Sequence, residues 1–157
     1  MLINRYQTVY LSFISTDLPV WNVIEASASL YQKDPERFHL LLNQQNLPYS
    51  AGNEDGDKFN QGLFWLEITP YRVILTMQSN NQLSYRHFWE KGVYGVSRYC
   101  LNNNSPEQPS KSLRFRNFTR YLKVEQDTYP QSVRIEYEMW SDKLKLGSYI
   151  LHLDIAS

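Results

Sequence analysis

The sequence predicts an α+β domain: an antiparallel curved sheet or barrel-like meander of about eight strands, carrying an N-terminal helix pair. Three observations predict it. Residues Arg5–Ile14 and most of the chain beyond Phe59 alternate apolar and polar side chains with a period of two. Between them, residues 17–46 place apolar side chains at helical spacing behind two plausible caps. Twelve Tyr, seven Phe and four Trp favour pleated, half-buried surfaces.

In the first strand, Val9, Leu11 and Phe13 take one side, with Tyr6, Thr8, Tyr10 and Ser12 opposite. Two helices are expected next. Thr16 or Asp17 can cap the first, Pro19 suits its opening turn, and Val20, Val23, Ile24, Ser27 and Tyr31 make its stripe. Asp34-Pro35-Glu36 places a cap, a first-turn proline and a dipole-favoured acid ahead of Phe38, Leu41 and Leu42, and Leu47-Pro48 stops the second helix.

Residues 49–60 read as a polar loop with Gly52 and Gly56. Strands are then expected over Leu63–Ile68, Tyr71–Met77, Leu83–Trp89 and Tyr94–Leu101, separated by Ser79–Gln82 and by a turn near Lys91-Gly92. Asn102–Ser110 is a long polar loop. Between Leu113 and Val124 the apolar residues change from odd to even positions, which predicts a bulge or tight turn near Asn117-Phe118. Val133, Ile135, Tyr137 and Met139 share a face, Ser141-Asp142-Lys143 turns the chain, and Tyr149, Leu151, Leu153 and Ile155 line the last strand. Consecutive strands with short turns imply an antiparallel meander, and a sheet of this size curls around the helices or closes toward a barrel.

The 157 residues suit a single domain spanning 1–157, large enough to bury a core without a metal or disulfide. Cys100 is the sole cysteine, so no internal bridge and no multi-cysteine zinc site can form. Sixteen basic and sixteen acidic residues balance, which disfavours a nucleic-acid partner because phosphate binding usually needs a basic excess. Residues 1–8 have no secretory-signal pattern and no apolar run reaches membrane-spanning length, so no membrane association and a cytoplasmic setting are expected.

Catalytic and cofactor signatures are weak. His39, His87 and His152 are widely spaced, without a metal-ligand pair, and no metal is expected. The glycines of Gly92-Val93-Tyr94-Gly95-Val96-Ser97 form neither a nucleophile elbow nor a dinucleotide or phosphate loop; a turn with a barrel-facing glycine explains them, and no cofactor is expected. Glu54, Asp55 and Asp57 lack the calcium-loop pattern. Glu136 and Glu138 point the same way, as an acid–base pair could, but they also alternate with an apolar row as a wet sheet face requires. No catalytic residue is assigned.

The least ordinary stretch is Leu113–Lys123, where cations interleave with aromatics. Arg114 and Arg116 share a face and can offer bidentate donors to an anion. The same pattern can grip single-stranded nucleic acid, or simply be an amphipathic strand with an arginine-rich wet face. Trp65, Tyr85 and Trp89 can wall a ligand cavity or fill an ordinary core.

Strand, helix pair and meander is also the element order of intracellular lipid-binding calycin barrels. Asp34-Pro35 leading into Leu40-Leu41-Leu42, the strand holding Trp65, and Leu113-Arg114-Phe115-Arg116 resemble strings of the S-type phycobiliprotein lyases, themselves calycin-like. The chain departs from them in the length that follows Arg116 and in the position of Cys100. The resemblance implies a barrel that handles a bilin. Two functions follow from the sequence. The first is non-covalent handling of a bulky apolar, amphipathic or anionic small ligand in a curved-sheet cavity, with Arg114 and Arg116 as anchors and Trp65, Tyr85 and Trp89 as walls. The alternative is a non-enzymatic adaptor that meets a protein partner with an exposed sheet face or edge.

Overall fold

A computed structural model describes residues 4–17, 21–43, 62–79, 83–101 and 111–156. These form ten antiparallel strands: β1 (Asn4–Ser15), β2 (Trp21–Asp34), β3 (Arg37–Asn43), β4 (Gly62–Ile68), β5 (Arg72–Ser79), β6 (Leu83–Glu90), β7 (Tyr94–Leu101), β8 (Lys111–Gln126), β9 (Pro130–Ser141) and β10 (Leu144–Ile155). Each strand pairs with its neighbours in sequence, and β1 pairs with β10, so the meander closes into a barrel. Closure leaves no free strand edge among the described strands.

Among the described residues the expected helix pair is absent and every regular element is a strand; the expected opening turn at Pro19 and the stop at Leu47-Pro48 lie outside them. Residues 21–34 obey a period of two: Ala26, Ala28 and Leu30 are buried, while Val23, Glu25 and Ser27 are exposed. The helical match arose because Val23 and Ile24, adjacent in sequence, lie on opposite faces of one strand. Beyond the turn, Phe38, Leu40 and Leu42 point inward and Leu41 outward, opposite Trp65. The Asp34-Pro35-Glu36 signal is real but serves a hairpin. Asp34 Oδ1 accepts a hydrogen bond from the Glu36 amide at 3.0 Å, and Asp34 pairs with Arg37 across the turn. Aspartate followed by proline at the first central position suits a β-turn as well as a helix start. The two misread segments supply the two strands beyond the expected eight.

Elsewhere the alternation decides the faces. Val9, Leu11, Leu66, Ile68, Val73, Leu75, Val133, Ile135, Leu151 and Leu153 fill the interior. Each such side chain stabilises by about 1.5–3 kcal/mol when fully withdrawn from water. Tyr129 meets Phe38 edge-on at 6.3 Å, within the apolar half of the barrel. The phase change in β8 is a bulge: its register to β9 slips between Thr119 and Tyr121, just beyond the expected position. The Ser141–Lys143 turn places Asp142 at φ 51°, a left-handed conformation that aspartate tolerates. The polar segments expected at 49–60 and 102–110 lie outside the described residues, as do 80–82 of the turn after β5.

The seam between β1 and β10 has its own fastening. The Asp17 carboxylate accepts the Ser148 amide at 3.1 and 3.2 Å and the Ser15 hydroxyl at 3.0 Å. The Ser148 contact is the main cause that holds this carboxyl below the usual range. Among the described residues no helix is long and apolar enough to cross a membrane.

Candidate functional site

The barrel interior is divided by chemistry. Strands β2–β5 contribute aliphatic and phenyl groups, whereas inward positions of β6–β8 carry His87, Ser97, Asn117 and Thr119, all buried. Strand alternation puts them there: His87 lies between inward Tyr85 and Trp89, and Ser97 between inward Gly95 and Tyr99. Gly95 is indispensable to the arrangement. A Cβ there would land on the Phe88 carbonyl oxygen and come within 3.0 Å of Asn117 Oδ1.

Four of these groups form one hydrogen-bonded chain. Ser97 Oγ accepts from Asn117 Nδ2 at 2.8 Å and lies 2.7 Å from His87 Nδ1; His87 Nε2 is 3.2 Å from the Tyr99 hydroxyl. With the Asn117 amide in this orientation, the Ser97 hydroxyl proton has a partner only at Nδ1. We therefore assign the imidazole proton to Nε2, from which it is donated to Tyr99. Burial lowers the His87 pKa to about 4, so the ring is neutral at pH 7. Burial likewise pushes the Tyr99 hydroxyl up to about 12 and Tyr137 well above its ordinary value. The site is uncharged.

An aromatic wall surrounds the chain. His87 stacks on Trp89 at 5.1 Å, Trp89 meets Tyr137 at 5.1 Å, and Tyr137 stacks on Tyr149 at 5.5 Å. Tyr99 contacts both Tyr85 at 5.7 Å and Phe115 at 5.8 Å. Within this wall three buried polar atoms have no hydrogen-bond partner among the described residues: Trp89 Nε1, Asn117 Oδ1 and Thr119 Oγ1. Turning the Asn117 amide over would only exchange which of its atoms is left without one.

Ser97, His87 and Tyr99 have the spacing of a nucleophile, its base and an orienting group. Their surroundings work against that chemistry. Ser97 is 0% exposed, and an imidazole with a pKa near 4 is a poor base at neutral pH. The arrangement is suited to hydrogen bonding, not to covalent attack.

The five residues expected to form one site are distributed over both faces. Tyr85 and Trp89 line the interior with the polar chain. Trp65 is on the outer face of β4, where its Nε1 donates to His39 Nδ1 at 3.1 Å. Arg114 and Arg116 are exposed on the outer face of β8; Arg116 donates to the Asp142 carbonyl at 2.6 Å and lies over the Tyr94 ring at 5.2 Å. Glu136 and Glu138 are also on the outside, paired with Arg134, Arg120 and Lys145. Sequence reasoning passed over Ser97, Asn117 and Thr119; polar residues in phase with an inward row were the signal that could have found them.

No protein-family model matches this sequence, and no match is found among functionally curated proteins. Among solved structures, the ywiB protein from Bacillus subtilis superposes with a TM-score of 0.64 at 12% identity, covering 99% of this chain and 96% of that one. The likeness is one of fold. A closed antiparallel barrel of ten strands is consistent with calycin-like architecture, and such a barrel is compatible with ligand binding.

Proposed function

We propose that this barrel binds a small amphipathic ligand non-covalently in the polar half of its interior. The observation that supports the reading is the trio of partnerless buried atoms, Trp89 Nε1, Asn117 Oδ1 and Thr119 Oγ1. A polar group buried without a partner costs about 1–3 kcal/mol. Trp89 and Asn117 carry that cost at the two ends of a run through His87 and Ser97, and Thr119 carries it at the next inward position of β8. A ligand offering an acceptor to the indole and a donor to the amide offsets it, while Tyr85, Tyr99, Tyr137 and Tyr149 supply a largely apolar wall. In this reading Tyr85 and Trp89 are ligand contacts, and the setting is cytoplasmic.

The most specific form of the proposal is a bilin, whose pyrrole N–H groups and conjugated rings suit an amide acceptor among aromatics. A protein-adaptor role has less to rest on, because the closed ring of described strands offers no unpaired edge to a partner strand.

Native mass spectrometry of the full chain purified from its own host tests the reading. The expected result is a small-molecule adduct that denaturation releases, with a visible absorption band if it is a bilin. A bare mass, together with unchanged tryptophan fluorescence across a panel of lipophilic and tetrapyrrole probes, would overturn it.

A further inference from the structure

The outer face of β6–β8 carries a second feature, independent of the interior. Arg86 is directly opposite Arg98, and Arg98 is directly opposite Arg114. All three are exposed. With strands about 4.8 Å apart, the three arginine Cα positions lie side by side across about 10 Å of sheet. Like charges directly opposite one another on a sheet are destabilising. Nearby arginines avoid that situation: Arg72 pairs with Glu90, Arg120 with Glu138 and Arg134 with Glu136. Among the described residues no carboxylate lies within ion-pairing distance of Arg86, Arg98 or Arg114. In a chain with no net charge, the row is a local concentration of positive potential.

The row borders a groove of about 450 Å³ whose other lining residues are Phe88, Tyr94, Gly95 and Val96. Tyr94 is 55% exposed and Val96 51%, high values for large apolar side chains on a sheet. The Tyr94 ring is held in place: Phe118 packs against it at 4.9 Å and the Arg116 guanidinium covers it at 5.2 Å. A fixed, exposed aromatic surface beside three cations that no carboxylate among the described residues pairs fits a ligand that is flat at one end and multiply anionic at the other.

We propose that this groove binds a nucleoside polyphosphate, its phosphates bridging Arg86, Arg98 and Arg114 and its base resting on Tyr94. A single carboxylate can occupy one guanidinium fork, whereas a polyphosphate presents enough oxygens to engage three. Base–aromatic stacking then supplies the second contact. The anion removes the repulsion within the row, so binding and stability are coupled through the same three side chains.

Calorimetric titration of the full chain at about 0.15 M salt with ATP, inorganic tripolyphosphate, adenosine and a short single-stranded oligonucleotide tests the assignment. ATP is expected to bind with a dissociation constant below about 1 mM, tripolyphosphate more weakly, and adenosine without measurable heat. Arg98→Ala is expected to weaken ATP by about tenfold while leaving the melting temperature of the unliganded protein unchanged or higher, which separates lost binding from lost folding. Arg98→Lys, which keeps the charge and loses the fork, is expected to fall between. Tyr94→Ala is expected to bring ATP down to the affinity of tripolyphosphate without changing the latter. ATP binding that is absent, or that survives Arg98→Ala undiminished, overturns the proposal, as does binding confined to the oligonucleotide. Thr119→Val alters the interior alone, so retention of ATP binding in that variant separates this groove from the interior site.

Discussion

The imidazole of His87 lies flat against the indole of Trp89, with ring centroids 5.1 Å apart and planes within 3°. Alternate residues of one strand therefore form a single buried slab, and its imidazole is uncharged because burial penalises the protonated form.

Stability should consequently depend on pH. The unfolded chain takes up a proton at His87 near its ordinary value of 6.5, whereas the native barrel does so only near 4. Between those values the unfolded state holds more protons, so this contribution is complete above pH 6.5 and is lost as pH falls toward 4, by about 3 kcal/mol. Urea unfolding from pH 4 to 8 should show that slope in the parent and a shallower one in His87→Gln. Parallel curves would refute the assignment.

Thr119→Val removes a buried hydroxyl that has no partner while nearly preserving volume. The variant should gain about 1 kcal/mol of stability, read from the denaturation midpoint, and lose affinity for whatever adduct the parent carries. A loss of both would mean that the hydroxyl is satisfied in the native barrel.

Gly95→Ala should be costly. Its methyl group would meet the Phe88 carbonyl, and backbone yields less readily than a side-chain tip. A destabilisation of about 2–3 kcal/mol is expected, with loss of near-ultraviolet circular dichroism around the Tyr85–Tyr99 cluster. Gly92→Ala provides a contrast: nothing lies within 4 Å, but its φ of 75° makes the cost conformational, about 1 kcal/mol.

Asp34→Ala should remove the side-chain bond that closes the β2–β3 turn, at a cost of about 1 kcal/mol in thermal or urea melts. Far-ultraviolet circular dichroism should show a sheet spectrum without helical minima before and after the change.

Much of this barrel could be read from the period of two. The inward rows of β1, β9 and β10 follow directly from Val9-Leu11-Phe13, Val133-Ile135-Tyr137-Met139 and Tyr149-Leu151-Leu153-Ile155, and the β8 bulge follows from a change of phase. Residues 21–43 defeated the same reasoning for a physical cause. Val23 and Ile24 fall on one helical stripe yet on opposite faces of a strand, and Asp34-Pro35 satisfies the backbone demands of a turn and of a helix start alike. The site was harder still. Trp65 and Trp89 look equivalent in sequence, yet strand register sends one outward to His39 and the other inward to His87. Arg86 and Arg98, twelve residues apart, meet Arg114 only because three strands fall into one register.

The seam joins Val9 to Ile155. During synthesis β1 therefore waits for one of its two neighbours until the last strand has left the ribosome. Such long-range pairing makes ring completion a late and comparatively slow event. Until then the flank of β1 destined for β10 is an uncovered template for strands of other chains, a hazard that the finished cylinder no longer presents.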